Sequence, residues 1–135
     1  MVAQAELIDH GFRHTAKLHW EAGGEQFRLE GARDVWRETR CFIYVWFDES
    51  RQRALNVGHT GQAFSARFGD YVRWLNGKRK NDCDTPIRKE WLSCLVGSQS
   101  GRVEVWIRAS TNDRSARESD ERRWITQLRP ILNRR

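Results

Sequence analysis

The run CFIYVWFD, residues 41–48, is the strongest constraint on the fold. Side chains branched or aromatic close to the backbone favour extended conformations, because they pack well on a pleated surface and crowd a helical turn. The polar DESRQR ends the run, and ALNVGHT follows at residues 54–60 as a second strand. Two such segments around a short polar turn predict an antiparallel hairpin.

Downstream, GQAFSARFGDYVRWLNG sets Phe64, Phe68, Tyr71, Val72 and Leu75 at helical spacing and closes on Gly77. After the polar, basic NGKRKNDCDT comes PIRKEWLSCLVG, a short amphipathic helix with Pro86 at its first position and Gly97 past its end. GRVEVWIRAS alternates Val103, Val105 and Ile107 against Arg102, Glu104, Trp106 and Arg108, which predicts a strand with one buried face. In SARESDERRWITQLRP, an apolar stripe through Trp124, Ile125 and Leu128 continues upstream through Glu121 and Glu118, and Pro130 ends the helical pattern. At the N-terminus GFRHTAKLHW and EQFRLEG flank EAGG as two short strands. The order predicts an α+β fold with a small, mostly antiparallel sheet covered by helices.

At 135 residues the chain suits one domain with one core, and 39% apolar residues with seven tryptophans suit a folded chain. Its apolar runs are short and no basic-then-apolar leader opens it, so a soluble, cytoplasmic protein with no membrane partner is expected. Cys41, Cys83 and Cys94 form no CxxC pair, and reduced, structural thiols are expected. Net charge is +6, and the whole excess lies in residues 41–135, which hold 18 basic and 11 acidic groups. Arginine outnumbers lysine twenty to four, and the planar guanidinium suits bidentate phosphate contact. Nucleic acid is therefore the leading partner class.

Two helices break their own pattern. Arg67 projects from the side formed by Phe64 and Tyr71, and Glu121 lies three and four residues before Trp124 and Ile125. A charge at the edge of a core is costly unless something compensates it. Either the two pair with one another or reach water, or they converge on one pocket, the arginine for an anionic oxygen and the glutamate for a divalent cation. The second arrangement supplies the minimum for phosphodiester hydrolysis. A proton acceptor is also required, and Tyr44, His59 and Tyr71 are the candidates.

Residues 41–133 resemble the GIY-YIG nuclease family. Phe42-Ile43-Tyr44 corresponds to its first tripeptide and Asn56-Val57-Gly58 to its second, followed by a Thr-Gly turn, Arg67, and Tyr71 four residues on. In ERRWITQLRPILN, Glu121, Pro130 and Asn133 match the family's C-terminal segment. The resemblance implies a small three-stranded antiparallel sheet flanked by helices over residues 41–135, with residues 1–40 as a hairpin-like extension. It also implies DNA hydrolysis with one Mg2+ or Mn2+ held by Glu121 and waters. Tyr44 would shape the site, Arg67 would bind the scissile phosphate, Tyr71 would assist at the phosphate or nucleophile, and Asn133 would fix the chain end over the site. Asn56 stands where the family has tyrosine, and an amide cannot act as a phenolate base, so His59 or Tyr71 would take that role.

A nucleic-acid-binding domain of the same type that does not cut is the alternative. For duplex or structured DNA, the expected contacts are Lys78, Arg79 and Lys80, with Arg88 and Lys89 on the next helix.

Overall fold

The computed structural model describes residues 1–31, 37–78, 85–96 and 102–133. A short helix α1 (Gln4–Asp9) leads into the hairpin β1 (Arg13–Glu21) and β2 (Gln26–Glu30), and β3 (Phe42–Asp48) and β4 (Arg53–Thr60) form a second hairpin. Then come α2 (Phe64–Leu75), α3 (Pro86–Val96), β5 (Val103–Ala109) and α4 (Arg114–Leu128). Among the described residues no helix is long and apolar enough to cross a membrane.

The fold is α+β, but among the described residues the sheet has five strands rather than the expected three, in the order β2-β1-β5-β3-β4 with every pair antiparallel. The three expected strands are β5, β3 and β4. The first hairpin adds to them because β5 would otherwise present a row of unpaired N–H and C=O groups. β1 takes up that row from Arg13 opposite Ile107 to Leu18 opposite Val103. The N-terminal extension is thus part of the same sheet.

β3 is buried at all seven positions, which is why its sequence does not alternate. It runs through the sheet centre with helices on both faces. Phe42, Tyr44 and Trp46 pack with Phe64 and Phe68 of α2 and Trp91 of α3. Ile43, Val45 and Phe47 pack with Leu7 of α1 and Trp124 and Leu128 of α4. Aromatic contacts knit the first side, with Trp46 against Phe68, Tyr71 and Trp91 at ring separations of 5.5, 5.2 and 5.7 Å.

β5 departs from the expected one-sided burial, because Glu104 and Trp106 are covered as well as Val103, Val105 and Ile107. The six-residue α1, too short to announce itself by periodicity, supplies part of the cover. Glu104 Oε1 accepts from Gln4 Nε2 at 2.9 Å and from Trp106 Nε1 at 3.1 Å, and His14 Nε2 lies 3.3 Å from Oε2. Burial raises the pKa of this carboxyl, but the bonds from His14, Gln4 and Trp106 outweigh burial and hold it below its ordinary value.

The folded chain therefore favours the ionised Glu104. Its stabilisation is complete above the unfolded carboxyl pKa and is lost as pH falls through the lower folded value. Glu104→Gln is expected to cost about 1–3 kcal/mol at neutral pH. It should also flatten the acid side of a melting-temperature profile, and an unchanged acid limb would count against this role.

Both outer strands are closed by an asparagine amide. On β2, Phe27 N–H donates to Asn76 Oδ1 at 2.7 Å and Asn76 Nδ2 donates back to Phe27 C=O at 3.0 Å. On β4, Val57 N–H donates to Asn133 Oδ1 and Asn133 Nδ2 to Val57 C=O, both at 2.7 Å. Each side chain imitates a neighbouring strand at one residue, which blocks edge-to-edge pairing there.

Candidate active site

The segment from Gly58 to Gly61 closes β4, with a side chain pressed on it from each face of the sheet. Tyr44 lies opposite Gly58 in the β3–β4 register, and a Cβ on Gly58 would stand 2.3 Å from the Tyr44 hydroxyl oxygen. The ring therefore lies across the glycine. Gly58→Ala is expected to cost about 1–3 kcal/mol by overpacking and to displace Tyr44 from its partners. A melt and an aromatic NMR spectrum matching wild type would contradict the contact.

Arg67 and Tyr71 come from successive turns of α2 on its sheet-facing side. Arg67 Nη2 and Nε donate to the Tyr44 hydroxyl at 2.9 and 3.3 Å, and the Tyr44 and Tyr71 hydroxyls share a 2.9 Å hydrogen bond. The guanidinium also sits 5.0 Å from the Tyr71 ring centroid. Burial works against its charge, but Tyr44 and Tyr71 outweigh burial and keep the group protonated. Arg67 is half-buried and has no carboxylate partner among the described residues. The Tyr71 phenol is pushed well above the usual tyrosine range, by burial first and then by Tyr44, so it stays neutral and can donate but cannot serve as a phenolate.

His59 lies opposite Ile43 in the register, so its imidazole faces α4. Arg117 Nε donates to His59 Nδ1 at 3.4 Å, and His59 Nε2 stands 3.9 Å from Glu121 Oε2. Burial first, then Arg117, lowers the His59 pKa, so the neutral ring is the resting form. The bond from Arg117 assigns its proton to Nε2, toward Glu121. Glu121 is buried, at 8% exposure, yet its carboxylate stands beside a neutral imidazole.

Arg117 is a residue the sequence reading missed. The buried stripe of α4 is Arg117, Glu121, Trp124 and Leu128, not the expected continuation through Glu118. Glu118 instead accepts from Arg114 Nε at 3.0 Å on the exposed side. Steps of four and three residues from Glu121 reach 117 and 118 respectively, and Gly61 decides between them. A Cβ there would lie 2.9 Å from Arg117 Nη2, so the glycine makes the room. Arg117 Nη1 also donates to Thr111 C=O at 3.1 Å and lies 3.9 Å from Cys41 Sγ.

The sheet separates the remaining candidates. Asn56 lies opposite Trp46, on the Tyr44 side and away from His59. Asn133 spends both ends of its amide on Val57 and positions the chain end along β4. Arg88, expected at a phosphate, donates from Nε and Nη2 to Trp74 and Leu75 C=O at 2.8 and 2.9 Å and so caps the end of α2. Lys78 and Lys89 are exposed, while Arg79 and Lys80 lie outside the described residues.

Two clusters result: Tyr44, Arg67 and Tyr71 on one face, and His59, Arg117 and Glu121 on the other. They remain within electrostatic reach, since Arg67 as well as Arg117 depresses the His59 pKa. No three His, Cys, Asp or Glu among the described residues gather as a metal cage. A hard carboxylate such as Glu121 suits Mg2+ or Mn2+ bound chiefly through waters. Together the fold and clusters define an α+β domain with cationic and acidic groups flanking one strand end. No protein-family model, curated protein or solved structure matches the chain.

Proposed function

We propose that the chain is a divalent-metal-dependent endonuclease of GIY-YIG type that hydrolyses DNA phosphodiester bonds. The observation that carries this reading is Arg67, a charged, half-buried guanidinium held by two phenols with no carboxylate partner among the described residues. An arginine fixed in this way is prepared for an external anion. The β5-β3-β4 strands with helices on both faces, and Gly58 as the seat of Tyr44, agree with the motif resemblance.

In this mechanism Arg67 binds a non-bridging oxygen of the scissile phosphate and stabilises charge that grows there. Tyr44 aims the guanidinium, and Tyr71 donates as a neutral phenol. Glu121 would hold Mg2+ or Mn2+, which would supply Lewis acidity toward the phosphate and a bound water. His59, neutral at rest, accepts the proton at Nδ1, which requires it to give up the 3.4 Å bond from Arg117 that orients its ring. Lys78 and Lys89 supply exposed charge for the DNA backbone.

The test is incubation with supercoiled plasmid: nicking that requires Mg2+ or Mn2+ is expected. Three observations favour a second reading, a domain that binds DNA without cutting. Asn56 replaces the family tyrosine, Tyr71 is held as a phenol, and the His59 Nδ1 lone pair is engaged by Arg117. Stable binding with no cleavage in either metal would support that reading.

A further inference from the structure

We propose that a pocket on the flank of α4, away from Arg67 and Glu121, binds a second backbone phosphodiester of the same DNA; this rests on the nucleic-acid reading above. The pocket is a cavity of about 400 Å3 between the end of β5 and α4, lined by Arg108, Ser110, Ser119, Asp120 and Arg123 among others. Arg108 is fixed, with Nε donating to His10 C=O at 3.0 Å and the guanidinium 5.2 Å from the Trp124 ring centroid. Arg123 sits 4.8 Å from the same ring. One buried indole thus holds two guanidiniums at a shared cavity, where their like charges repel and an anion would relieve the repulsion.

Asp120 offsets only one of them. It accepts from Ser110 Oγ at 3.0 Å and lies 3.9 Å from Arg108 Nη1. Arg123 is exposed and has no carboxylate partner among the described residues. Two arginines and one aspartate leave a single positive charge, which suits a monoanionic phosphodiester better than a dianionic terminal phosphate. The Ser119 hydroxyl adds a neutral donor at the wall.

The pocket adjoins the candidate active site through one residue. Thr111, also in its wall, gives its carbonyl to Arg117 at 3.1 Å, and Arg117 reaches His59 at 3.4 Å. DNA engaged at Arg67 and Glu121 can therefore continue over the flank of α4.

The test is equilibrium binding of a short duplex oligonucleotide to the full chain, without divalent ions and over a range of salt, for wild type, Arg123→Ala and Ser119→Glu. Neither side chain is buried, so folding should be kept, and a melt checks this. Each variant should weaken binding about five- to tenfold, and Arg123→Ala should reduce the slope of log affinity against log salt by about one. Unchanged affinity and slope in both variants would overturn the pocket and leave the endonuclease reading standing. Wild type that binds but does not cut would overturn the endonuclease reading and leave the binding comparison decisive. Wild type that binds no DNA would overturn both.

Discussion

Glu121→Gln is expected to reduce Mg2+- or Mn2+-dependent cleavage by at least about 10²–10³-fold while leaving metal-free duplex binding unchanged. Glutamine keeps the volume and hydrogen-bonding shape of the side chain but removes the charge that would hold a divalent ion. The carboxylate is buried beside neutral His59, a placement that suits the proposed metal-ligand role better than that of a surface charge. If the Glu121→Gln variant simply fails to fold, binding and melting temperature fall together with activity. Intact binding with lost cleavage separates the catalytic role from a structural one.

Arg67→Met is expected to lower the turnover rate by a similar ~10²–10³-fold with a smaller effect on affinity. Its effect on stability should run differently. Removing one member of a buried ion pair usually orphans the other, but Arg67 faces phenols, and Tyr44 and Tyr71 retain their 2.9 Å bond to each other. The melting temperature should therefore hold steady or rise while activity collapses. Arg67→Lys should not restore the rate, because an ammonium cannot span the Tyr44 oxygen and a phosphate with the same planar fork. Full activity in Arg67→Lys would mean that only charge matters at this position.

The legible parts of the fold were those written in local patterns. The unbroken CFIYVWFD run, the 64-68-71-75 spacing of α2 and the end of α4 before Pro130 are each set by neighbours within a few residues, and the structure has them as read. The two N-terminal strands join the sheet through pairing between residues some ninety positions apart, such as Arg13 with Ile107, which no window of sequence displays. β5 looked half-exposed because Glu104 reads as polar. Gln4, His14 and Trp106 make it acceptable in the interior.

At the candidate site, Arg67 stood out because it interrupts an apolar side, and Glu121 for the same reason. Arg117 was hidden by helical arithmetic, since 3.6 residues per turn lets 117 or 118 continue the stripe. The space above Gly61 and the bonds to His59 and Thr111 take in Arg117. Arg88 reads as a phosphate contact because it is a cation in a basic segment, and its Nε and Nη2 donate to the carbonyls ending α2.

The central claim is that Arg67 and Glu121, carried on opposite faces of the sheet, act on one phosphate. Single-turnover cleavage of a supercoiled plasmid in Mg2+ by wild type, Glu121→Gln, Arg67→Met and the double variant tests it most directly. Wild type should nick the plasmid, each single variant should lose most of the rate, and the double should be no slower than the slower single, as for groups that serve one transition state. Cleavage that persists in Glu121→Gln, or losses that multiply in the double variant, would contradict it.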